Sequence, residues 1–159
     1  MALGDNTLRS AAGNSQRGRN PYMVQTTLNW ATALSDKGSA LAASDVIPVI
    51  AVKKGTMVLN AGIEVDTASD GSTFTVDLGM VDADVFVDGF DATSAAAVVA
   101  QNPAAYQPVM AVADDNIDLT IASLSGGAVS SGKLRIWAVL MDCTEMGDTS
   151  ANEVARDNA

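Results

Sequence analysis

The sequence has no histidine and a single cysteine, Cys143, in 159 residues. Without histidine, the commonest general base and metal ligand is absent. Ser-His-Asp and Cys-His arrangements are therefore impossible. One cysteine rules out an internal disulfide. At the end of a predicted strand, a lone cysteine reads as a small buried hydrophobe. Aromatics make up only 4% of the chain, so Val, Ala, Leu and Ile must build the core. The scarcity also weakens a glycosidase reading of the neighbouring acids Asp82 and Asp84. That chemistry needs two carboxyls facing across a cleft, usually among rings that stack on sugar. Glycine-rich phosphate loops and zinc-ligand spacings are missing. No unbroken apolar run reaches ~18 residues, so no membrane-spanning helix is expected. The N-terminus has no apolar central block, so no secretory signal is expected. These absences argue against an enzyme and against a bound cofactor or metal.

Basic residues are scarce too: nine Lys and Arg stand against nineteen Asp and Glu, for a net charge of −10. Such a chain is repelled by nucleic acid and by anionic membrane surfaces, so neither is an expected partner. Three of the nine basic residues, Arg9, Arg17 and Arg19, fall in residues 1–21, with Asp5 as the only acid there. This polar, Gly- and Ser-containing segment cannot bury enough apolar surface to offset its own ordering. It reads either as a disordered terminus or as an arm whose arginines grip the carboxylates of a partner. A basic arm on an acidic body also suits exchange between neighbouring subunits. Tyr22 and Met23 would be contact residues at its root, with Trp30 beyond them. Residues 143–159 form a second polar tail.

Between these tails, residues 22–142 carry the two-residue alternation of β-strands. Val46–Val52, Thr56–Val65 and Thr73–Leu78 are rich in β-branched residues. Pro48 cannot donate a ladder hydrogen bond, which predicts an edge strand or a bulge. Gly55 suits a turn with positive φ, Gly62 a bulge, and Ser69-Asp70-Gly71 a hairpin turn. A short helical turn is predicted within Ala31–Ala43, and another in the alanine-rich stretch Ala92–Ala100. Asp82, Asp84, Asp88 and Asp91 crowd one segment. Hard oxygen ligands of this kind can hold calcium, but the EF-hand spacing is not met. The alternative is an exposed acidic turn anchored by Phe86 and Phe90. In the last strand, Lys133–Met141, Leu134, Ile136, Ala138 and Leu140 face one way. Trp137 lies on the opposite, more polar face, which implies that this face also meets a second sheet or a subunit.

Short strands separated by turns every ~8–12 residues predict an all-β, antiparallel β-sandwich of jelly-roll type, with an extended N-terminal arm and a C-terminal tail. The segments Asp45–Val52, Gly55-Thr56, Val76–Gly79, Phe86–Gly89, Asp118–Thr120 and Gly132–Val139 resemble small auxiliary capsid proteins of tailed bacteriophages, the decoration or cement proteins found in cyanophages and marine phages. The resemblance covers about residues 22 to 142 and rests on strand signatures. It implies a virion protein, assembled in the host cytoplasm, that sits on the capsid exterior. It also implies a homotrimer whose partner is the major capsid protein. The alternative is a phage tail, neck or head-fibre component with a glycan-binding β-sandwich, which predicts exposed aromatics clustered in a groove.

Overall fold

The computed structural model describes residues 20–96, 99–100 and 108–143. Nine strands and one helix lie within them: β1 (Tyr22–Asn29), α1 (Trp30–Lys37), β2 (Val46–Val52), β3 (Thr56–Thr67), β4 (Thr73–Gly79), β5 (Val87–Asp91), β6 (Val99–Ala100), β7 (Val109–Met110), β8 (Asp115–Ser125) and β9 (Lys133–Asp142). The first sheet runs β1-β9-β3, with β6 and β7 both pairing with β3. The second runs β2-β8-β4-β5. Every pair is antiparallel. This is the expected all-β sandwich, and its strand order is that of a jelly roll.

Alternation decides which residues meet between the sheets. Leu134, Ile136, Ala138 and Leu140 of β9 are buried, with Val58, Ala61, Ile63 and Val65 of β3 beside them. Across the core stand Ile117, Leu119 and Ile121 of β8, and Phe74, Val76 and Leu78 of β4. Trp30, at the start of α1, is fully buried and meets Phe74 edge-on, with ring centroids 4.6 Å apart. The helix is set by its caps. The Asn29 side chain accepts a hydrogen bond from the Ala31 amide, and Gly38 ends the helix in the left-handed region at φ 67°.

Several local expectations match, and others are corrected. Pro48 lies in the edge strand β2 at a register shift, and Gly55 has φ 82°. Gly62, however, is in register opposite Trp137; the irregularities of β3 lie at Val58/Asn60 and Val65/Thr67. Ser69-Asp70-Gly71 is not a hairpin turn, because β3 and β4 belong to different sheets. A short turn between two strands is equally able to carry the chain across the core, and burying both apolar faces outweighs local pairing here. Phe86 and Phe90 are buried as expected, but Val87–Asp91 is a strand paired with β4. In the alanine-rich stretch no helix is found among the described residues. Val99 and Ala100 instead pair with β3, whose backbone offers partners that a short helix would lack.

Candidate interaction surfaces

The two outer faces of the sandwich differ in chemistry. Directly opposed residues in an antiparallel ladder share a face, so the outer surface of the first sheet can be traced row by row. Met141, Met57 and Met110 lie opposite one another across β9, β3 and β7. The next row holds Met23, Val139 and Asn60, and the one after it Gln25, Trp137 and Gly62. Charge is confined to the far end. There Arg135 meets Glu64 at 2.9 Å and Asp66 at 3.6 Å. The remainder is an uncharged, methionine-rich field. Met23 is 63% exposed and Met110 38%.

The outer surface of the second sheet is acidic. Asp77 of β4 is opposite Thr120, and Asp118 of β8 is opposite Gly79 and Pro48. Partial burial raises the Asp77 carboxyl above its usual pKa, with repulsion from Asp88 and Asp84 adding to it, while the Gly89 amide donates to its Oδ1 at 2.7 Å. Asp118 is raised by burial and by Asp115. Asp82 and Asp84 are exposed on one loop rather than set across a cleft. No group of three or more metal-capable side chains is gathered among the described residues.

The remaining carboxylates act as clasps. Asp70 accepts hydrogen bonds from the Ser130 hydroxyl and from the Ser130 and Ser131 amides, which hold it well below the usual carboxylate range. Asp114 accepts from the Lys53 ammonium and from the Lys54 amide, and both lower its pKa. Asp45 is lowered by Lys37 and by the Ala42 amide. Each clasp ties together loops distant in sequence or closes a helix end.

The start of β1 and the end of β9 meet at one corner. Tyr22 is opposite Leu140, and Asp142 is opposite Thr56. The Cys143 amide donates to the Gly55 carbonyl at 2.8 Å. Tyr22, Lys53, Lys54 and Asp142 line a cleft of about 220 Å³ at this corner.

No family model matches the sequence, and no curated protein matches it. Solved structures do. A chain of the cyanophage Pam1 capsid asymmetric unit aligns with a TM-score of 0.59 at 12% identity, over 89% of this chain and 91% of that one. A chain of the Ralstonia phage GP4 capsid aligns with a TM-score of 0.57 at 15% identity, over 79% of this chain and 86% of that one. In fold, this chain is similar to chains of phage capsids. The alignments take in 91% and 86% of the two matched chains, so the likeness extends over most of each.

Of the residues expected to form a partner-binding arm, Arg9, Arg17 and Arg19 lie outside the described residues. Tyr22 is 47% exposed and Met23 more so, whereas Trp30 belongs to the core. Trp137 is half-buried on the outer side of its sheet, so the second sheet is not what that face meets. Met57, Met110 and Met141 were not legible as a surface. Their sequence positions are far apart, and only strand pairing puts them in one row.

Proposed function

We propose that this chain is a structural virion protein of a tailed phage, a decoration or cement protein that binds the outside of the head and stabilises contacts between major capsid subunits. The observation that carries this reading is the likeness in fold, over 89% and 79% of this chain, to chains of two phage capsids. The surface chemistry supports it. Among the described residues the sandwich presents two extended outer faces of unlike chemistry, one uncharged and methionine-rich and one acidic. Weak contacts of this kind become strong when several act at once on a repeating lattice. The chain works as a homotrimer, with Arg9, Arg17 and Arg19 gripping carboxylates of a neighbour and Tyr22 and Met23 packing at the root of the arm. No enzymatic step is part of this role.

The glycan-binding alternative needs clustered, exposed aromatics. Among the described residues, Trp30, Phe74, Phe86 and Phe90 are buried, and Tyr22 is the strongly exposed ring. The deciding experiment is to mix the purified chain with heads that lack it and to image them. Density over the outer surface of the head, at fixed positions relative to the major capsid subunits, supports the proposal. Density confined to the tail, neck or fibres overturns it.

A further inference from the structure

Among the described residues nothing lies over the methionine-rich face of the first sheet, whose strands are β1, β9, β3, β6 and β7, and its chemistry selects a partner. Residues 20–143 hold five basic and fourteen acidic side chains, a net charge of −9. Two such bodies repel one another through almost any approach. The exception is the field formed by Met23, Met57, Met110, Trp137, Val139 and Met141, which carries no charge and is flanked by Arg135 already paired with Glu64. A cationic partner would instead be drawn to the acidic second sheet. We infer that the outer face of the first sheet, centred on these six residues, is where one copy of the chain docks on another. This rests on the oligomeric reading above and goes beyond it by assigning the surface.

The dimensions fit. Four strands at ~4.8 Å spacing and ten residues of β9 at ~3.3 Å give a projected face of roughly 600 Å². Side-chain relief brings that close to the roughly 800 Å² per partner of a standard interface. Methionines suit such a surface because their unbranched side chains adapt to an irregular neighbour. The start of β1 and the end of β9 lie at the methionine-rich end of this face.

The test is light scattering of the full chain over a wide range of protein concentration, with two variants. The wild type is expected to be oligomeric, and its association to strengthen with added salt as the −9 bodies are screened from each other. The double variant Met23→Glu/Met110→Glu places like charges in the apposed faces and is expected to lose association by roughly 100-fold or more. Thr75→Glu adds a charge to the outer face of the second sheet and is expected to leave association unchanged. Cooperative thermal unfolding checks that each variant is folded. Acrylamide quenching gives a second readout. Trp30 is buried in either state, so a loss of quenching on association reports Trp137. A wild type that stays monomeric overturns the inference. So does a folded double variant that associates like the wild type, or a Thr75→Glu variant that dissociates equally. None of these results bears on head binding, which the imaging experiment tests separately.

Discussion

At the scale of single residues, position between or outside the sheets sets the cost of a change. Phe74 is fully buried and packs edge-on against Trp30. Phe74→Ala removes a ring and leaves a cavity, so a loss of about 3–5 kcal/mol is expected by denaturant unfolding. Gly132 has φ 116°, and a Cβ there would sit 2.7 Å from the Ser69 Cα. Gly132→Ala is expected to cost about 1–3 kcal/mol, because both the backbone conformation and the space exclude a side chain. Asp118 carries a raised pKa in the folded state, so its ionised form is disfavoured by folding. The sign follows by linkage. Stability falls as pH rises through the folded-state value, and Asp118→Asn should raise the melting temperature at neutral pH while changing it little well below pH ~4.

At the scale of elements, the loops between sheets depend on side-chain clasps. The Asp70 carboxylate ties the 69–71 crossover to residues 130–131 by three hydrogen bonds. Its folded-state pKa is depressed, so the clasp contributes fully above the ordinary carboxylate value near 3.8 and is lost as pH falls toward the depressed one. Asp70→Ala should therefore melt earlier than the wild type at neutral pH, and the gap should narrow as the solution is made strongly acidic. A constant gap across that range would show that the carboxylate charge is not what holds the crossover. The edges differ as well. β2 is guarded by Pro48 and a register shift, and β5 is short and carries Asp88 and Asp91. β1 spans eight residues with neither charge nor proline. Natural sheets usually protect such an edge, and β1 itself carries neither of these devices.

At the scale of the whole molecule, the proposed roles of the basic arm and of the uncharged face can be tested separately. On the proposed arm, exposed ion pairs from Arg9, Arg17 and Arg19 to a neighbour's carboxylates would contribute up to about 1 kcal/mol each, at most ~3 kcal/mol per arm. Removal of residues 1–20 should therefore weaken attachment to heads while the sandwich still unfolds cooperatively at an unchanged temperature. Arg17→Glu/Arg19→Glu should make attachment more easily released by salt. Salt is therefore expected to act oppositely on the two proposed contacts, loosening arm from carboxylate and tightening body against like-charged body. If truncated and full-length chains decorate heads equally, the arm has no role in binding.

The residue pattern alone determined the class of the fold and most of the core. Period-two alternation in β9 names Leu134, Ile136, Ala138 and Leu140 as inward, because side chains on a strand have only two directions to take. Pro48 and Gly55 were equally legible, since each is limited by its own backbone chemistry. Local order could not decide which strands pair. The turn at Ser69-Asp70-Gly71 suits a hairpin and a crossover alike, and the choice falls to the burial of two apolar faces against each other. For the same reason only the tertiary structure assembled Met23, Met57, Met110 and Met141 into one surface. Their neighbours across the sheet come from distant segments, and register is a property of pairing rather than of any one strand.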